Sequence, residues 1–193
     1  QAQAAIGLDR ATAGTRCGGS PTEATVERRV EHEQAATTFD IDATAAIARL
    51  AADPLLVGLR PMVQDIADPD WIAMASLAPA FAAMIAHSLV FDALVLPQHL
   101  KPLLTMLDRH PELAVIVDHG AKPQIRAQNL DPWRADMAAI ASRPNTACKL
   151  SGLVTEAASD WTIDDIKPVF AHLLATFGPS RLIWGSDWPV VTL

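Results

Sequence analysis

The 193-residue sequence predicts an α/β fold in which strands and helices alternate along the chain. Residues 113–117 form a continuous, β-branched apolar run, which is typical of a parallel strand covered on both faces. Between such runs, apolar residues recur at helical spacing. This strand-then-helix order predicts right-handed crossovers and a parallel sheet. An open doubly wound sheet would also satisfy it, although no Gly-x-Gly-x-x-Gly or phosphate loop follows a strand.

Five strands and four intervening helices can be placed along the chain. The predicted strands are apolar and short, and they cover residues 55–60, 90–96, 113–117, 146–150 and 181–184. Each predicted helix has one apolar stripe, formed in turn by Leu77, Phe81, Met84 and Ile85; by Leu100, Leu103, Leu104 and Leu107; by Trp133, Met137 and Ile140; and by Phe170, Leu173, Leu174 and Phe177. Asp131 followed by Pro132 predicts an N-cap and the first position of the third helix.

Composition excludes several classes of partner. The chain has 22 acidic and 15 basic residues, a net charge of −7 and no Lys/Arg stripe, which argues against nucleic acid and anionic membrane surfaces. Its apolar runs are too short to span a bilayer, and the first residues do not resemble a signal peptide. Cys17 and Cys148 form neither a metal motif nor a disulfide framework, so we expect a cytoplasmic protein.

Two runs place ionisable side chains where predicted strands end, at residues 117–123 and 181–189. In parallel α/β barrels the carboxyl ends of the strands carry the active site. We therefore expect Asp187 and His119 to be catalytic, with Asp187 accepting a proton from water and His119 polarising a substrate carbonyl. The alternatives are that Asp187 caps the turn before Trp188 and that His119 bonds to backbone.

Two cations are candidates for binding a carboxylated substrate. Arg60 ends a predicted strand, where its guanidinium could clamp a substrate carboxylate with two hydrogen bonds. The alternative is an ion pair with Asp65 or Asp68. Lys122 would add positive charge near the same pocket, or it could be an ordinary surface lysine.

Further candidates follow from strand alternation. Lys149 and Ser151 point to one side of their strand, so Ser151 is a candidate substrate ligand, with packing as the alternative for both. Trp188 is expected at the pocket mouth. Because Asp118 precedes His119 in the same run, alternation predicts that it points the opposite way and is structural.

These segments resemble the amidohydrolase-2 branch of the metal-dependent hydrolase superfamily, which includes L-fuconolactonase-like and 2-pyrone-4,6-dicarboxylate lactonase-like enzymes. The resemblance covers roughly residues 53–193. Its motifs are Val57-Gly58-Leu59-Arg60-Pro61, the run from Asp65 to Trp71, the run from Asp118 to Pro123, Cys148-Lys149-Leu150-Ser151-Gly152-Leu153, and Gly185-Ser186-Asp187-Trp188-Pro189. It implies a (β/α)8 TIM-barrel-type fold, with the five predicted strands as the fourth to eighth of the barrel.

The chain departs from that family pattern in two places. None of its six histidines forms the His-x-His pair of the first strand, and the chain stops six residues after Asp187. A barrel of this kind needs about 250 residues. We therefore expect an incomplete barrel that lacks its first strand and last helix, from a truncated gene product. Residues 37–193 would form this domain, with residues 38–42 as a remnant strand. Residues 1–36 would be an irregular segment, either disordered or a remnant of early strands.

The resemblance implies a hydrolase that opens a lactone or related cyclic ester of a small carboxylated molecule. It implies either no cofactor or one divalent, zinc-like ion, which His119 and Asp187 would bind. Two alternatives belong to other classes: a catalytically inactive barrel fragment, and an α/β domain that binds a small ligand without turnover. Unpaired edges of an open barrel would also favour a homo-oligomer.

Overall fold

The structure is a computed structural model and describes residues 6–7 and 43–192. The predicted remnant strand at 38–42 and nearly all of the segment 1–36 lie outside these residues. The strands are β1 (Ile6–Gly7), β2 (Gly58–Pro61), β3 (Val90–Ala93), β4 (Val115–Val117), β5 (Thr146–Leu150) and β6 (Leu182–Trp184). The α-helices are α1 (Ala43–Leu50), α2 (Ala78–Ala86), α3 (Leu100–Arg109), α4 (Asp131–Ala141) and α5 (Ile163–Phe177).

The strands form one sheet in the order β1-β2-β3-β4-β5-β6. The five strands from β2 to β6 are parallel, and a helix lies between each consecutive pair, as the sequence predicts. The short strand β1 pairs antiparallel with β2. Because all five parallel strands end at one edge of the sheet, the loops that follow them converge there.

The helices differ from prediction mainly at their ends. Helix α4 begins at Asp131 itself, with Leu130 as the N-cap residue, so Asp131 is a first-turn residue whose carboxylate accepts from Arg134. Pro168 lies inside α5, beyond its first turn. The N-terminus of α5 has a capping box between Thr162 and Asp165, which satisfies free backbone donors there.

The apolar core lies between the helices and one face of the central strands. Leu59, Phe91, Val117 and Cys148 come from β2, β3, β4 and β5, and all four are fully buried. Helices α2, α3 and α4 cover them with large apolar side chains, among them Phe81, Leu103, Met106, Trp133 and Ile140. Among the described helices, none combines the length and the apolar character that a membrane crossing requires.

The β6 side of the sheet is much less covered than the sequence predicts. Of the α5 stripe, Leu173 and Phe177 are buried, whereas Phe170 and Leu174 are exposed, so the prediction that all four face inward is wrong. Trp184 in β6 is 80% exposed. In the described residues, β6 pairs only with β5, which leaves its other edge without a neighbour.

Candidate active site

The chain after β4 makes a left-handed turn that brings two site residues together. His119, Gly120, Ala121 and Lys122 have consecutive φ values of 49°, 58°, 59° and 48°. Left-handed backbone costs about 1–2 kcal/mol per non-glycine residue. The turn ends strand alternation, so Asp118 and His119 reach the same cluster, with Asp118 Oδ2 3.7 Å from His119 Nε2. The prediction that Asp118 points the opposite way is therefore wrong.

His119 and Asp187 meet at the carboxyl edge of the sheet. Nε2 of His119 lies 3.7 Å from Oδ1 of Asp187, and Nδ1 lies 2.8 Å from the Ser151 hydroxyl oxygen. The His119 and Asp187 side chains are only 11% and 17% exposed. The gap between Nε2 and Oδ1 is too long for a direct hydrogen bond, whereas one oxygen atom placed between them could contact both.

Gly152 makes this approach sterically feasible. A Cβ at this position would lie 2.8 Å from both Asp187 Oδ2 and His119 Nδ1, and its φ of +59° is itself unfavourable for other residues. The carboxylate and the imidazole therefore approach over a glycine that follows β5.

The contacts of the imidazole decide where its proton lies. Nε2 faces the carboxylates of Asp118 and Asp187, so we assign the proton to Nε2 in the neutral ring. The lone pair on Nδ1 then accepts a hydrogen bond from the Ser151 hydroxyl. This tautomer directs an N–H donor toward the space beside Asp187.

The Asp187 carboxylate does not cap the turn that follows it. The backbone N–H of Trp188 donates to Ser186 Oγ instead, and the Asp187 carbonyl accepts from Val191. Within the described residues, His119 is the one ion-pair partner of the carboxylate. Trp188 is 74% exposed, so its indole lies at the surface beside the site.

Near His119 lies a ring of four alternating charges, which we call the ion ring; three come from β2, β3 and β5, and Asp118 directly follows β4. Arg60 Nε is 3.2 Å from Asp92 and 3.3 Å from Asp118. Lys149 Nζ is 2.6 Å from Asp92 and 3.3 Å from Asp118. Asp118 is fully buried. Because two cations face two anions, the buried charges compensate one another.

The ion ring determines the environment of Arg60 and Asp92. Burial raises the pKa of Asp92, and the Asp118 carboxylate adds to the rise, while Lys149 and Arg60 oppose it. Arg60 forms ion pairs as its alternative interpretation expects, but Asp92 and Asp118 are the partners that the geometry gives it.

Lys122 is placed differently from the ring cations. Its ammonium donates a 2.7 Å hydrogen bond to the side-chain oxygen of Gln64, a neutral partner that follows β2. Among the described residues, no carboxylate lies within ion-pair distance of Lys122. The positive charge of this side chain is thus available to an anionic group at the carboxyl edge of the sheet.

Comparison with known proteins identifies the family. A family model described as amidohydrolase matches residues 22–193. The chain belongs to the amidohydrolase family. It is 50% identical over 152 residues to an L-fucono-1,5-lactonase of Burkholderia ambifaria, and 36% identical over 151 residues to one of Burkholderia multivorans. These alignments cover 79% and 72% of this chain.

The likeness extends to solved amidohydrolase structures. One from Burkholderia multivorans with bound zinc superposes with a TM-score of 0.71 at 34% identity, over 78% of this chain and 57% of that one. The chain spans about half the length of the curated relatives it matches, since the alignments cover 52% and 50% of them. The five parallel strands with their helices are accordingly part of the amidohydrolase barrel.

The described residues do not by themselves assemble a metal site. In residues 6–7 and 43–192, no cluster of three or more His, Cys, Asp and Glu side chains is arranged to bind a metal ion. His119 and Asp187 could supply two ligands, but a zinc site generally takes three or four from the protein. Asp118 is equally near Nε2, yet it is already paired with Arg60 and Lys149.

Sequence reasoning missed three polar residues of this site. Asp92 and Lys149 each interrupt an apolar strand, at Phe91-Asp92-Ala93 and Cys148-Lys149-Leu150, and an ionisable residue within a buried strand requires a partner. That signal could have indicated the ion ring, although not its pairing. Gln64 carries no comparable signal, because nothing local distinguishes it from an exposed loop glutamine.

Proposed function

We propose that this chain forms the carboxyl-edge face of an active site that hydrolyses a lactone or related cyclic ester of a small carboxylated molecule. The observation that carries the proposal is the 3.7 Å separation of His119 Nε2 and Asp187 Oδ1 at the edge where the parallel strands end. Two lactonases among the relatives support the choice of substrate class.

In the proposed reaction, a water molecule lies between the imidazole and the carboxylate. Asp187 accepts a proton from that water as its oxygen attacks the lactone carbonyl carbon. The Nε2–H of His119 and the positive charge of Lys122 stabilise the negative charge that develops on the carbonyl oxygen. The ring C–O bond then breaks, and the departing oxygen takes the proton from Asp187. The product is the open-chain hydroxy acid.

The remaining polar groups would bind and orient the substrate. We assign the substrate carboxylate to Lys122, because its ammonium has a neutral partner, whereas Arg60 already faces two carboxylates. Ser151 fixes the imidazole and could also contact the substrate. Trp188 would cover the open side of the pocket. If a divalent ion is bound, His119 and Asp187 are the side chains that would contribute to holding it.

A second candidate function is that of a barrel fragment without activity of its own, which another chain completes. One observation favours it: within the described residues, β6 pairs only with β5, so its other edge is uncovered. This alternative predicts self-association or aggregation of the purified chain. A stable monomer with a sharp thermal transition would contradict it.

The direct test is a panel of five- and six-membered sugar lactones and carboxylated lactones, including L-fucono-1,5-lactone, with acid release followed by a pH indicator. The proposal predicts turnover of at least one class. It also predicts that Asp187→Asn lowers kcat by about 10²- to 10⁴-fold, the range typical of a lost general base.

Asp53→Asn is the matched control, because Asp53 is exposed and precedes β2, at the edge of the sheet opposite to the site. This variant should keep full activity. Turnover that survives Asp187→Asn would contradict the proposed mechanism. Ligand binding without turnover, unchanged by Asp187→Asn, would favour the non-catalytic domain instead.

A further inference from the structure

The left-handed turn from His119 to Lys122 needs anchors, because three of its four residues have side chains that disfavour positive φ. Its geometry determines where the imidazole lies, since it is the turn that lets Asp118 and His119 enter the same cluster. Any group that fixes the turn therefore fixes the distance between His119 and Asp187.

A side chain outside the site donates a hydrogen bond to the backbone of this turn. Trp133, in the first turn of α4, donates from its indole nitrogen to the Gly120 carbonyl at 2.7 Å. Its indole is almost completely buried and packs against the His172 ring, with centroids 5.3 Å apart. Gly120 is also buried, so loss of the indole donor would leave a carbonyl without its partner in the protein interior.

The other face of the turn is closed by apolar groups. A Cβ on Gly120 would lie 3.2 Å from Leu173 Cδ1 and 3.4 Å from Leu153 Cδ2. The turn is thus held between the indole on one side and these two leucines on the other. The indole contact differs from the leucine contacts in being directional, because a hydrogen bond orients the peptide that it reaches.

We propose that Trp133 is a positioning residue for His119, acting through its hydrogen bond to the Gly120 carbonyl. The proposal rests on the proposed lactone hydrolysis for its kinetic consequence but not for its structural one. Among the described residues, the Trp133 indole nitrogen donates to the Gly120 carbonyl, and it donates to neither the reacting groups nor the ion ring. Its effect on the reaction is the placement of the imidazole relative to Asp187.

The test is Trp133→Phe in the full chain, which keeps an aromatic ring and removes the indole N–H. Misplacement of a reacting group by about 1 Å lowers rates by about 10²-fold. We expect kcat to fall by about 10- to 100-fold, with KM changed by less than about twofold. In chain labelled at histidine Cε1, we also expect the His119 resonance to move, with His119→Asn used for its assignment.

Met137→Ala is the matched control for lost packing. Met137 is fully buried on the same helix, one turn beyond Trp133, and its side chain has no N–H or O–H donor for the Gly120 carbonyl. This variant should unfold at lower urea concentration, while kcat and the His119 resonance stay as in the wild type. If Trp133→Phe leaves the His119 resonance unmoved, the positioning role is wrong. If the wild type lacks turnover, the proposed function fails, and the resonance still decides this proposal.

Hydrogen exchange in the unaltered chain gives a second test, which does not depend on a variant that folds. The Lys122 amide donates to the His119 carbonyl and reports opening of the turn. We expect the Trp133 indole N–H and the Lys122 amide to exchange at similar, slow rates, far slower than the exposed Trp184 indole. A Trp133 indole that exchanges as fast as that of Trp184 would overturn the proposal.

Discussion

Strands β3 and β6 each carry a large aromatic side chain but have very different surroundings. Phe91 in β3 is fully buried between neighbouring strands and helices, whereas Trp184 in β6 is 80% exposed. Both strands are short and mostly apolar, and both end beside site residues. The difference is that β3 has a strand on each side, while β6 is paired only with β5 in the described residues. An apolar strand sequence therefore indicates that burial is favourable, and the neighbours determine whether it occurs.

The largest difference in stability is expected between variants in which these two aromatic side chains are truncated to alanine. Phe91→Ala should lower the free energy of unfolding by about 3–5 kcal/mol, because it leaves a cavity in the core. Trp184→Ala should change it by less than about 1 kcal/mol, because the indole is already in solvent. Urea denaturation of both variants measures the contrast. Equal losses would show that β6 is covered in solution.

A similar contrast applies to buried and exposed charge pairs. Asp118→Asn removes one anion from the ion ring and leaves two cations facing one carboxylate, which should destabilise the fold by about 3–5 kcal/mol. Asp108→Asn breaks the surface pair with Arg143 and should lower stability by at most about 1 kcal/mol. Urea denaturation of the two variants compares these effects, and a loss from Asp118→Asn as small as that from Asp108→Asn would contradict the importance of the ring.

The exposed edge should be visible in the oligomeric state. Apolar strand edges favour association between chains, so we expect the wild type to self-associate as its concentration rises. Trp184→Lys should weaken this association. Thr105→Lys, which adds the same charge at an exposed position of α3, should not. Sedimentation velocity over a range of concentrations measures both. A wild type that stays monomeric throughout would contradict self-association through β6.

The last prediction concerns the reactivity of the Cys148 thiol, on the buried side of the sheet. Burial raises the pKa of its thiol to about 12, so at pH 8 the native thiol is protonated and unreactive. In a Cys17→Ser background, a disulfide reagent should label Cys148 only after unfolding. Rapid labelling of the native chain would show that the centre of the sheet opens readily.

Much of this fold could be predicted because its strands are locally distinctive. The order of five strands and four helices follows from apolar runs separated by helical stripes, and the structure confirms it. The exposure of Phe170 and Leu174 could not be predicted in the same way. Their spacing is that of a buried face. Whether they are buried depends on which elements pack beside α5, and the local sequence does not contain that information.

The candidate site also has features that could be predicted from sequence and features that could not. His119 and Asp187 could be brought to one edge from sequence, because strand ends are shared features of a parallel sheet. The direction of the Asp118 side chain toward His119 could not be predicted, because alternation applies only within strands and the backbone turns left-handed at His119. The pairing of Arg60 with Asp92 and Asp118 also depends on strand order, which local sequence does not contain.

The most direct test of the central claim is a double-mutant cycle for lactone hydrolysis with Asp187→Asn, His119→Asn and the combined variant. If both side chains act on the attack of one shared water molecule, Asp187 by accepting its proton and His119 by stabilising the carbonyl oxygen, their effects are not additive. We predict that kcat/KM of the double variant lies within about threefold of the poorer single variant. Losses that multiply, as for two independent groups, would contradict a shared water between the imidazole and the carboxylate.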